Sequence, residues 1–172
     1  EELISRSGIN RRETLSFNTF EYIWKQAGYW AYIVLPLDEL PATVNENQYA
    51  QSASALEESG QSNHAKIAYQ TLLKRWPKNL IGQIGLGNIA FARGDLEYAK
   101  KILTEAIHHH PDNALAHNNL AHVLAELGDI KEAIKVAEKA VSLGGPLLED
   151  TKATLKEIEL KERNLKLRSK KK

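Results

Sequence analysis

Two prolines 34 residues apart, Pro77 and Pro111, set the frame for what this chain can fold into. Laid out at that period, the sequence gives three rows, 46–79, 80–113 and 114–147, in which small residues fall into columns. Ala53, Gly87 and Ala121 share one column, Gly60, Gly94 and Gly128 the next, and Ala65, Ala99 and Ala133 a third. Tyr69, Leu103 and Ala137 follow, then Leu72, Ala106 and Ala140. A fixed period of about 20–50 residues signals stacked repeats rather than a single globular core. Each row reads as two antiparallel helices. The glycine column supplies the turn between them, because glycine adopts positive φ without a Cβ clash. The small columns let helices touch, and the prolines close each second helix, having no amide hydrogen to continue the ladder. Pro146 closes the third row one place late, after Gly144 and Gly145.

These columns resemble the tetratricopeptide repeat, with its 34-residue period and its small-Gly-Ala-aromatic-Ala-Pro pattern, and they cover residues 46 to 145. The chain departs from the family pattern at Gln83 and His117, where Trp is frequent, at Leu72, where Ala is, and at Gly145, where Pro is. Residues 148–167, with Leu148, Leu155, Ile158, Leu160 and Leu165 among Lys and Glu, read as an amphipathic helix capping the last hairpin's exposed face. Residues 168–172 form a basic tail. The expected fold is mainly α: a tetratricopeptide-type helical-hairpin solenoid with a capping helix, preceded by a small α+β segment.

That segment, residues 1–45, has a different texture. Glu2 to Ser7 and Arg12 to Phe17 read as two strands around a turn at Gly8 to Asn10. A short helix is expected from Asn18 to Ala27, stopped by Gly28, and Tyr29 to Leu35 reads as a strand apolar on both faces. Two or three strands and one helix cannot enclose these aromatics. The segment is therefore expected to be the end of an incomplete domain. SRSG at Ser5 to Gly8, FEYIWKQAGYWAYIVLP at Phe20 to Pro36 and LPATV at Leu40 to Val44 resemble the end of the papain-like, bacteriocin-processing peptidases that cleave double-glycine leaders. The resemblance is to bacterial members that carry tetratricopeptide repeats after the peptidase, and it implies a cell-envelope or periplasmic setting. In that family the nucleophilic Cys and its His lie upstream of anything present here.

The chain has no cysteine, so it holds no disulfide, thiolate metal site or cysteine nucleophile. It also has no methionine and is expected to be a processed product or a fragment of something longer. Residues 161–172 carry seven Lys or Arg against one Glu, which leaves the rest of the chain net acidic. A solvated tail is the reading of that run, since no aromatic interleaves the charges and no basic face continues into the repeats. The longest apolar stretch, Tyr29 to Leu37, is far too short to span a membrane.

The repeats therefore point to a non-enzymatic binding module whose partner is a protein or extended peptide. The alternative is a non-catalytic part of a peptidase in which the repeats act as a spacer or self-association element. No cofactor, metal, nucleic acid or integral membrane segment is expected. In a solenoid of this kind the first helix of each hairpin lines the inner surface, and residues three and four apart share one helical face. That face holds Ala50, Ser54 and Glu57 in row one, Ile81, Ile84, Asn88 and Phe91 in row two, and Leu115, Asn118, His122 and Ala125 in row three, and of these Glu57, Ile84, Asn88, Phe91, Asn118 and His122 are the candidate groove residues. The groove positions carry no cation to clamp a carboxylate. His108, His109 and His110 sit at a helix end, where consecutive side chains diverge, and read as structural. Gly82, Gly85 and Gly87 resemble a phosphate loop in composition alone, because they fall inside a predicted helix.

Overall fold

The computed structural model describes residues 2–7, 10–16, 25, 36, 38–40 and 44–169. The chain divides into two compact units, Glu1–Leu35 and Pro36–Lys172. In the first, β1 (Glu2–Ser7) and β2 (Asn10–Ser16) form an antiparallel hairpin with Leu3 opposite Leu15 and Ile4 opposite Thr14. The ladder is irregular between Ser5 and Ser7, and β2 begins two residues before the expected Arg12. The expected strand at Tyr29 to Leu35, and all but Lys25 of the expected helix at Asn18 to Ala27, lie outside the described residues.

The second unit is built from α1 (Glu46–Glu58), α2 (Ser62–Arg75), α3 (Leu80–Ala92), α4 (Leu96–His109), α5 (Ala114–Leu127), α6 (Ile130–Leu143) and α7 (Leu148–Ser169). α1 pairs with α2, α3 with α4 and α5 with α6, and each hairpin stacks on the next. Gly60, Gly94 and Gly128 make the turns at φ +79°, +76° and +88°. Trp76 and His110 stand before the prolines and leave the helical region, at φ −127° and −133°, as the clash with a following proline ring requires.

The helix starts share a device with the same period. Asn79 Oδ1 accepts from Gly82 N at 2.9 Å, and Asn113 Oδ1 accepts from Ala116 N at 2.8 Å. Asn45 Oδ1 accepts from Asn47 N at 3.0 Å. Each satisfies an amide that the first turn leaves without a helical partner. The two departures from Trp are used in a common way. Gln83 Nε2 donates to the carbonyl of Pro77 at 3.1 Å, and His117 Nε2 donates to that of Pro111 at 2.9 Å. A polar side chain buried at this position thus latches the loop that precedes its own helix.

Packing between hairpins rests on paired large and small residues. A Cβ at Gly85 would lie 2.2 Å from Tyr69 Cε2, so only glycine admits the tyrosine ring there. Within the second hairpin, Gly87 meets Leu103 in the same way, with 2.7 Å to Cγ. The three glycines of α3 are thus packing residues in the interior of a helix. The Tyr69 hydroxyl donates to Glu57 Oε2 at 2.7 Å. Burial, with Glu57 beside it, holds the Tyr69 phenol far above its usual range.

α7 takes the place that the first helix of a fourth hairpin would occupy, packing on α6 and α5. Its buried residues are Thr151, Thr154 and Ile158, and Leu155 packs against the same core from its edge. Leu160 and Leu165, expected in the capping face, are 46% and 48% exposed. Leu160 stands two positions past Ile158 and so faces away from the side of the helix that Thr151, Thr154 and Ile158 bury, whereas Leu165 is exposed by length. α7 has 22 residues against 14 in α6, and at about 1.5 Å per residue it outruns its neighbour by roughly 12 Å.

Candidate functional site

A cleft of about 410 Å³ opens between the second and third hairpins. Gly87, Asn88 and Phe91 of α3 and Leu103 of α4 form one wall, and Leu115, Asn119, His122 and Val123 of α5 form the other. Phe91 and Leu115 are each 38% exposed and face each other across the cleft. The size lies within the range of about 300–1,000 Å³ typical of ligand clefts.

The polar groups of the cleft are few and neutral. Asn119 Nδ2 donates to Asn88 Oδ1 at 2.8 Å, joining the two walls. This leaves Asn88 Nδ2 as a donor and Asn119 Oδ1 as an acceptor, the complement of one peptide unit's C=O and N–H. α3 contains no Asp, Glu, Lys or Arg, and α5 contains Glu126 alone, which Lys161 of α7 binds at 2.8 Å. Lys161 also donates to the carbonyl of Ala125 at 2.7 Å, capping the end of α5. His122 Nε2 lies 3.1 Å from Thr154 Oγ1, so α7 fixes the ring that borders the cleft.

Of the six candidate groove residues, Asn88, Phe91 and His122 meet in this cleft. Ile84 does not. It is 9% exposed and packs with Ala106 and Ala116 in the seam between hairpins. Asn118 is half-buried outside the cleft, its Oδ1 buried without a hydrogen-bond partner among the described residues. Glu57 lies one hairpin away, tied to Tyr69. Leu115, which the sequence places on the same inner face, and Asn119, which it does not, complete the lining. The signal for Asn119 was an offset: a residue late in one first helix faces a residue three places earlier in the next, so Asn88 pairs with the residue 31 positions on.

Two larger depressions do not share these properties. One, of about 530 Å³, lies between the start of α6 and the end of α7 and is rimmed by Lys131, Glu132, Glu162 and Lys166. The other, of about 480 Å³, lies between α2 and α4 beside Lys74 and Glu105. Neither joins the first helices of adjacent hairpins. The histidine run is structural at two of its members: His109 Nδ1 accepts from Gln83 Nε2 at 2.9 Å, and His110 Nε2 donates to the carbonyl of Lys78 at 2.6 Å. Among the described residues no helix is long and apolar enough to cross a membrane.

Comparison with known proteins agrees with this architecture. Two family profiles described as tetratricopeptide repeat match residues 51–99 and 90–143. The peptidase resemblance of residues 1–45 gains no support from them, since they begin at residue 51. No curated protein matches the chain by sequence. Among solved structures, the type III secretion translocator chaperone SycD of Yersinia enterocolitica aligns with TM-score 0.64 at 21% identity, covering 74% of this chain and 91% of that one. SycD in complex with a peptide of the translocator YopD gives 0.62 at 19%, covering 71% and 99%. The first tetratricopeptide domain of Spaghetti (RPAP3) bound to the HSP90 peptide SRMEEVD gives 0.61 at 15%, covering 70% and 97%. At these identities the likeness speaks to fold. Taken with the 34-residue columns and the stacked hairpins, the matched profiles show that residues 51–143 of this chain are tetratricopeptide repeats.

Proposed function

We propose that the chain is a peptide-binding module, with no catalysis of its own, that holds an extended partner in the cleft between α3 and α5. The observation that carries this reading is the pairing of two exposed apolar residues, Phe91 and Leu115, with an amide couple that leaves one donor and one acceptor free. An extended peptide presents the same alternation: a side chain to bury and a backbone unit to hydrogen-bond. Similar folds bind peptides, as the complexes of SycD with a YopD peptide and of Spaghetti with an HSP90 peptide illustrate. The neutral walls disfavour an acidic terminus like that of SRMEEVD as the preferred occupant here.

The test is selection of peptides from a displayed library by the full chain, followed by titration of the enriched sequences. Phe91→Ala and Asn119→Ala are each expected to weaken binding by about tenfold or more, the usual effect of removing a central contact. Ile84→Val, in the seam, is expected to leave affinity unchanged. Enriched peptides that bind both cleft variants like the parent chain, or a selection that enriches nothing, would overturn the reading.

A further inference from the structure

Deepening that reading, and resting on it, we infer that the cleft seats the side chain of a tryptophan in an uncharged stretch of the partner, with His122 Nδ1 accepting the indole N–H. The argument starts from the tautomer of His122. Thr154 Oγ1 lies 3.1 Å from the carbonyl oxygen of Asp150 and 3.1 Å from His122 Nε2. A hydroxyl has one hydrogen, and a carbonyl can only accept. Both contacts are satisfied together when the threonine donates to Asp150 and Nε2–H of His122 donates to the threonine. Neutral imidazole then carries its lone pair on Nδ1.

Nδ1 has no hydrogen-bond partner among the described residues, and it is not among the buried polar atoms left without one. His122 borders the cleft while its Nε2 end is committed to α7, so the edge bearing Nδ1 is what the ring offers a ligand. The remaining surfaces specify the group that carries the donor. Phe91 and Leu115 present apolar faces, the buried Leu103 and Val123 back the two walls, and no charged side chain lines the cleft. A lysine or arginine would bring a donor and also a charge that nothing there balances. A phenylalanine fills the space and leaves Nδ1 unpaired. An indole supplies both a large apolar ring and a single N–H.

The experiment uses the full chain, isotopically labelled, and three neutral pentapeptides blocked at both ends: Gly-Gly-X-Gly-Gly with X as tryptophan, 1-methyltryptophan or phenylalanine. Chemical-shift titration reads the affinity of each and the side-chain signals of Asn88, Asn119 and His122. The tryptophan peptide is expected to bind at least about fivefold more tightly than the 1-methyl analogue, since a donor–acceptor pair is lost with nearly unchanged shape. His122→Leu is expected to abolish that preference while retaining apolar binding, a change that a purely structural histidine would not produce. Equal affinity for the tryptophan and 1-methyl peptides, with shifts at the cleft, would sink the indole assignment and leave the groove reading intact. Absence of cleft shifts with all three peptides would overturn the assignment too, and the library selection then decides the groove reading separately.

Discussion

Gly85 and Tyr69 show how a single position can invert a general rule. In an exposed helix interior, glycine to alanine adds about 1 kcal/mol of stability through helix propensity. At residue 85 the added methyl would have to enter the tyrosine ring. Gly85→Ala is therefore expected to destabilise the repeats by about 1–3 kcal/mol, the usual cost of overpacking, measured as a lower urea midpoint. The tyrosine makes a second prediction. Its phenol is pushed up by burial first and by Glu57 second, so folding favours the neutral form. The unfolded chain releases that proton near pH 10, whereas the folded chain retains it to higher pH. The resulting stability is present below about pH 10 and lost as pH rises through the folded value. Tyr69→Phe should cost about 1–2 kcal/mol near neutrality by removing the hydrogen bond to Glu57. It should also make the alkaline fall in urea midpoint shallower. Tyr49 and Tyr98, which burial also raises, account for the slope that persists.

Helices of this chain start and stop where side chains dictate, and those signals were open to reading in different degrees. Asn113→Ala is expected to cost about 1 kcal/mol by leaving the Ala116 amide without its cap, a loss visible in thermal unfolding followed by circular dichroism. The glycine turns and the prolines that end the second helices were legible because each depends on one residue's backbone chemistry. The candidate site was less so. In the repeat frame Ile84 and Asn119 are one position apart, about 100° around the helix, and which of them reaches the cleft depends on how neighbouring first helices are staggered. Stagger is set by packing in the seam, here by Ile84 against Ala106 and Ala116, and no single residue announces it. The cap itself was legible, but not all of its contacts were. Ile158 and Leu155 of the apolar stripe pack as expected, and Thr151 and Thr154 join them on the buried face, where Thr154 meets His122.

Across the whole repeat unit, the hydrogen bonds that join different hairpins connect immediate neighbours. Asn79 reaches Glu46, Arg93 reaches Asn63, Asn119 reaches Asn88, and Lys100 reaches Asp129, each across about one period. Stability in such an array is a chain of neighbour terms, so protection should be greatest where a helix has neighbours on both sides. Hydrogen exchange read by mass spectrometry is expected to be slowest in α3 and α5, faster in α1, and fastest in the overhanging end of α7 beyond Leu165. Slow exchange in α3 would be a property of its surroundings, because a 13-residue helix with three glycines has little tendency to form alone.

The ring of Tyr69 and the bare backbone at Gly85 also act as an address. At the next seam the corresponding positions are Leu103 and Asn119, which both border the cleft, and there an asparagine stands where the tyrosine ring would need empty space. The first hairpin therefore has one berth along the array, on the second, and a copy from another molecule offered to the third would be turned away by sterics. Nearly identical units stacked in a row invite exchange and misassembly, and this chain writes their order into the size of one side chain.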